Sequence, residues 1–248
     1  MFENFSLSGL LIGYTALLFS LCVHEASHAT SAYWLGDDTA KRLGRMSLNP
    51  LVHMDPIGTF LFPLIGMSTG IPMIGWAKPV PYNPLNFDRK WTVRGGGAIV
   101  SSAGPISNLI LSFLFLTLMC LSLRVLVPDA EGRASLFMAG LRGYEAVSTR
   151  VSEPAAQLLL SFGGTLILLN IGHALFNLLP VGPLDGAGVL IGLLPRRMAD
   201  TFEKYRAPMG IILMILVFTG GARYILGPLF SLVIGYGIFP VARLLLGL

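Results

Sequence analysis

Long apolar runs separated by short polar stretches set the pattern of this chain. Six stretches contain no Asp, Glu, Lys or Arg: residues 4–24, 56–77, 95–123, 154–184, 207–222 and 224–242. A membrane-crossing helix needs about 20 predominantly apolar residues. Five of the stretches predict such helices; 207–222 reaches that length only with Arg206 and Arg223 extending their side chains towards the interface. The stretch 56–77 reads differently, because it carries Pro56, Pro63 and Pro72 together with Gly58, Gly66, Gly70 and Gly75. Breakers at that density predict a re-entrant or irregular segment near 56–82 rather than a crossing helix. Irregular backbone survives at membrane depth only where it is buried in protein or lines a wet cavity. The predicted fold is therefore an all-α polytopic membrane protein with about five transmembrane helices and one re-entrant segment.

Charge supports this count. With 56–77 not crossing, 12 of the 17 Lys and Arg residues fall on one side and five on the other; with 56–77 crossing, the split is nine to eight. Basic residues concentrate on the cytoplasmic side, which predicts an N-terminus outside. The run Phe5–Val23 is longer than the apolar part of a signal peptide and has no basic residue before it, so it reads as retained. Composition adds exclusions. Apolar residues are 54% and charged residues 12% of the chain, and mean hydropathy is +0.72, against roughly 25% charged in soluble domains. That excludes a disordered chain. The net charge of +4 forms no basic stripe, so no nucleic-acid partner is predicted. Cys22 and Cys120 each lie in an apolar run and form no disulfide framework.

The first run ends in His24-Glu25-Ala26-Ser27-His28. On a helix, residues i and i+4 share a face about 6 Å apart along the axis. Two imidazoles so placed reach one Zn²⁺, and the intervening Glu25 is near enough to act as general base without being a ligand. Ionisable groups inside an apolar span are expensive and mark function. A catalytic zinc takes three protein ligands and an open position. His53 and His173 are the remaining histidines, but Asp185 is the better third ligand. It is the one acidic residue between Glu153 and Asp200, in Asn177-Leu178-Leu179-Pro180-Val181-Gly182-Pro183-Leu184-Asp185-Gly186, where prolines and glycines let the chain turn. In the five-span arrangement His24, His28 and Asp185 reach similar depth near the cytoplasmic side. Asn108, Asn177 and His53 are candidates for contacting substrate or the oxyanion.

The pair of motifs, His24-Glu25-x-x-His28 with Asn177-x-x-Pro180-x-x-x-Leu184-Asp185-Gly186, resembles the site-2 protease family of intramembrane zinc metalloproteases. Gly44-Arg45-Met46-Ser47-Leu48-Asn49-Pro50 with His53-Met54-Asp55-Pro56, then Gly75-Trp76-Ala77-Lys78-Pro79-Val80-Pro81, then Ala103-Gly104-Pro105-x-x-Asn108, look like its compact branch, which lacks PDZ and CBS domains. The resemblance implies one Zn²⁺ per chain held by His24, His28 and Asp185, with Glu25 as base, and a segment after the first motif that dips into the membrane. The resemblance covers about residues 15–195; with the apolar runs it predicts a single protease domain over 1–248, with a catalytic core at about 5–195 and two additional transmembrane helices in 196–248 that carry no motif of the family. It further implies regulated intramembrane proteolysis: cleavage of a peptide bond within or beside the transmembrane segment of a protein or peptide in the lipid bilayer. The expected location is a prokaryotic plasma membrane. A helical substrate must unwind to be cut, and the 56–82 segment could hold it by strand addition. The competing readings are a zinc-dependent hydrolase of another membrane substrate, a metal transporter and an inactive binding partner. A transporter would show a second, matching half, and none is evident.

Overall fold

A computed structural model describes residues 6–69 and 76–248. Among these residues all regular structure is helical. Four helical stretches are long and apolar enough to cross a membrane: α1 (Leu7–Trp34), α4 (Val93–Leu126), α7 (Pro154–Asn177), and the C-terminal run Arg223–Leu246. That last run consists of α10 (Arg223–Leu232), a π-helical turn at Val233–Ile238 and α11 (Phe239–Leu246). With a rise of about 1.5 Å per residue, each of the four exceeds the hydrocarbon thickness of about 30 Å.

The remaining predicted span, 207–222, is the second half of α9 (Arg196–Phe218). Its first half carries Arg196, Arg197, Asp200, Glu203, Lys204 and Arg206, and the helix stops at Phe218, before a turn with Gly220 at φ +74°. The apolar part of α9, Ala207–Phe218, is thus shorter than the sequence pattern suggests. The 56–82 segment also has more structure than its breakers predict. Pro56 opens a π-helical turn at Pro56–Leu61, and α3 (Phe62–Thr69) follows directly. Pro56 falls in the first position of this run, where a missing N–H breaks no helical bond, and Pro63 lies within it. Residues 76–83 have no helix or strand pairing, and residues 70–75, with Gly70, Pro72 and Gly75, lie outside the described residues.

The chain divides into two compact units. One comprises residues 1–20, 109–172 and 228–248. Here α5 (Ala130–Arg142) meets α7 backbone to backbone, since a Cβ on Gly164 would lie 2.1 Å from the Gly140 carbonyl oxygen. The Ser20 hydroxyl donates to Asn170 Oδ1 at 2.8 Å and the Ser112 hydroxyl to the Ile167 carbonyl at 3.1 Å, both buried. Such bonds hold helices together where the hydrophobic effect between them is weak. A short helix, α6 (Tyr144–Ser148), follows α5.

The other unit comprises residues 21–108 and 173–227. It packs α8 (Asp185–Leu193) on the first half of α4, where Gly188 and Gly192 leave room for Ser101 and Ala98. The Arg94 guanidinium donates to the carbonyls of Ile191 and Leu194 at the end of α8. After α1, Asp37 is fully buried. It accepts from the Thr39 hydroxyl at 2.5 Å, from the Asn83 N–H at 2.7 Å and from the Asn86 amide at 2.8 Å, tying residues 83–86 to the turn before α2 (Thr39–Arg42).

Candidate metal centre

The helical repeat of α1 sets His24 and His28 one turn apart on the same face. Their rings meet edge to face with centroids 4.7 Å apart, and the two Nε2 atoms are 3.0 Å apart. Asp185 Oδ2 lies 3.1 Å from His24 Nε2 and 3.4 Å from His28 Nε2. Asp185 is the first residue of α8, delivered by the turn Pro180–Leu184. Gly186 keeps α8 seated, because a Cβ there would fall 2.3 Å from the Leu178 carbonyl oxygen. Gly104 gives the imidazoles their space: a Cβ on it would lie 2.5 Å from both His24 Cε1 and His28 Nε2.

The protons of this cluster follow from its other contacts. His28 Nδ1 is 2.7 Å from the Val100 carbonyl oxygen, which only accepts, so Nδ1 carries the hydrogen. His24 Nδ1 is 2.6 Å from Asn108 Oδ1, likewise an acceptor. With Nδ1 so occupied, each imidazole turns its Nε2 to the other and to the carboxylate. Asp185 Oδ2 is buried and has no hydrogen-bond donor, although the two nitrogens are within contact distance. Three lone-pair atoms at 3.0–3.4 Å repel one another unless a cation sits among them. Ligands at about 2.0–2.1 Å around a tetrahedral Zn²⁺ are separated by roughly 3.3 Å. The triplet fits a zinc site with two nitrogens and one oxygen, and acceptors behind both imidazoles are what such sites require.

Glu25 is not part of the triplet. It is buried beside it, and its Oε2 accepts from the Val80 N–H at 2.9 Å. Of the other residues singled out by sequence, Asn108 is fully buried and stands behind His24. Asn177 ends α7, and its amide donates to the His173 carbonyl at 3.1 Å. His53 is 1% exposed and its Nε2–H donates to the Ser47 carbonyl at 2.7 Å. The structure thus gathers His24, His28, Asp185 and Asn108, with Glu25 alongside, while the bonds of Asn177 and His53 go to their own neighbouring carbonyls. Sequence reasoning does not find Val80 and Val100, because their contribution is a backbone amide and a backbone carbonyl that no residue type announces.

Comparison with known proteins agrees with this chemistry. Residues 12–217 match peptidase family M50. The chain is 34% identical over 215 residues to the "Putative zinc metalloprotease YwhC" of Bacillus subtilis strain 168, covering 87% of this chain and 84% of that protein. It is 30% identical over 173 residues to the "Putative zinc metalloprotease Rip2" of Mycolicibacterium smegmatis, covering 70% of this chain and 53% of that protein. No solved structure matches the chain.

Proposed function

The chain belongs to peptidase family M50, and on that premise we propose that it is an intramembrane zinc metalloendopeptidase cleaving protein or peptide substrates within or beside their transmembrane segments. The observation that carries the reading is the convergence of His24 Nε2, His28 Nε2 and Asp185 Oδ2, three metal-ligand atoms facing one point. One zinc per chain, held by these three, supplies Lewis acidity towards the scissile carbonyl and brings the acidity of water near neutrality. Glu25 takes a water proton on its carboxylate and returns it to the leaving amine nitrogen. Asn108 holds His24 in the tautomer that leaves Nε2 free, and Asn108, Asn177 and His53 are the candidate contacts for substrate or the developing oxyanion. The 56–82 segment is the candidate to hold an unwound substrate by strand addition, with Gly70→Pro or Gly75→Pro expected to lower turnover while zinc stays bound.

The protein is a multi-pass membrane protein. We infer a single protease domain over 1–248 with its core at about 5–195. The apolar half of α9 would be the fifth span, and 56–82 would re-enter the membrane without crossing. The basic residues favour an N-terminus outside and a site towards the cytoplasmic face of a prokaryotic plasma membrane. The test is metal analysis of purified wild type, Glu25→Gln and Asp185→Ala, with cleavage of a single-span polypeptide. Zinc near one per chain in the wild type and Glu25→Gln, its loss in Asp185→Ala, and loss of cleavage in both variants are expected. Full zinc and full cleavage in Asp185→Ala would refute the ligand set.

A further inference from the structure

The segment Lys78-Pro79-Val80-Pro81 has an unusual property: Val80 carries the one N–H between Lys78 and Tyr82, since prolines have none. That N–H is the donor to Glu25 Oε2. The prolines also hold their preceding residues, Lys78 and Val80, in extended backbone, so the amide sits on a stiff support. Its side chain is buried between Ala29 of α1 and Ala40 of α2. What secures the segment from the other direction is Arg45. This residue is 8% exposed, and its guanidinium donates to the Lys78 carbonyl at 2.5 Å and to the Pro79 carbonyl at 3.3 Å. The end of α2 aims it there. Gly44 at φ +67° and the Arg45 N–H to Ala40 carbonyl bond of 2.8 Å close the helix in a Schellman turn. The Lys78 N–H donates to the His53 carbonyl at 2.8 Å, which holds the same stretch from a second loop.

We propose that Arg45 is a positioning residue for Glu25: by gripping the carbonyls of Lys78 and Pro79 it fixes the lone amide of the Pro79–Val80–Pro81 stretch, which orients the carboxylate so that Oε1 faces the reaction. This rests on the reading of Glu25 as base given above. A buried guanidinium spent on two carbonyls of one short segment is otherwise unexplained by the metal ligands, which it does not touch. Misplacing a catalytic group by about 1 Å costs about 100-fold in rate, so a backbone anchor for Glu25 acts on kcat rather than on substrate affinity.

The experiment uses the full chain in detergent micelles, with a fluorescent single-span polypeptide carrying an apolar segment of about 20 residues as probe. In Arg45→Met, zinc content is expected to stay at the wild-type level, kcat to fall about 10- to 100-fold, and KM to change little. Arg45→Lys, which retains a donor for the Lys78 carbonyl, is expected to recover part of kcat. Val80→Pro, which deletes the amide, is expected to match Arg45→Met. Hydrogen exchange of the amides in 76–82, which needs no substrate, is expected to accelerate in Arg45→Met while exchange in α1 does not. Wild-type kcat in Arg45→Met and Val80→Pro, unchanged exchange in 76–82, or loss of zinc or of folding in both variants would each overturn the inference. Glu25→Gln in parallel separates the two levels. If it keeps turnover, the base assignment fails and this inference with it. If it loses turnover while Arg45→Met and Val80→Pro keep theirs, only the positioning role fails.

Discussion

At the scale of single residues, the centre depends on what stands behind each imidazole. The Val100 carbonyl and Asn108 Oδ1 force both histidines to present Nε2. Partners of this kind typically account for 10- to 100-fold in metal affinity. Asn108→Ala is therefore expected to weaken zinc binding by about that factor, as measured by competition with a chelator, while leaving the helices intact. Gly104 is the sharper case. A methyl group at this position would lie 2.5 Å from both rings, a distance at which one ring must move. Gly104→Ala is expected to lose zinc and activity together, and retention of stoichiometric zinc would show that α4 can retreat.

At the scale of elements, two loops decide whether the helices deliver their side chains. The first carries Asp185 into α8. Gly186 packs against the Leu178 and Leu179 carbonyls with no room for a Cβ, so Gly186→Ala is expected to displace the start of α8 and reduce zinc occupancy without touching a ligand. The second is the turn pinned by Asp37. Burial by itself would raise the pKa of this carboxyl, but the hydrogen bonds from Thr39, Asn83 and Asn86 outweigh it and hold the group below its ordinary value of 3.8. A depressed carboxylate contributes stability that is present above its unfolded pKa and lost as pH falls through the lower folded value. Asp37→Ala is expected to destabilise the fold by about 1–3 kcal/mol, and to remove the part of the acid sensitivity below about pH 4 that this group causes. Thermal melts at pH 7 and pH 3.5 check both.

For the whole molecule, the four apolar helices and the membership in family M50 make this a multi-pass membrane peptidase. Chelation should abolish cleavage, and stoichiometric zinc should restore it; activity that persists at full chelation would contradict a metallopeptidase. The Lys and Arg distribution predicts that cysteines introduced into the 36–55 and 84–92 stretches label from the cytoplasmic side, and that ones introduced at 128–133 label from the opposite side.

Much of this is local in origin and so can be read along the chain. The pairing of His24 with His28 follows from the 3.6-residue repeat alone. The convergence of Asp185 is legible because an isolated acid at the end of a 31-residue uncharged stretch needs a partner. Apolar run length similarly foretells α1, α4, α7 and the C-terminal helical run. What the pattern misreads is also local: Pro56 looks like a breaker but falls where a helix starts, Pro63 lies within the helical run that follows, and α9 mixes a charged half with an apolar half that length counting cannot apportion. The tertiary structure alone decides which backbone groups meet which side chains. The Val100 carbonyl that sets the His28 tautomer, the Val80 amide on Glu25, and the Arg45 grip on Lys78 and Pro79 come from segments 33–72 residues away in sequence from their partners. Every residue except proline has the same N–H and every residue the same C=O, so residue identity carries no trace of such a contact. Only the packing of α1, α2 and α4 around the site brings those groups into place.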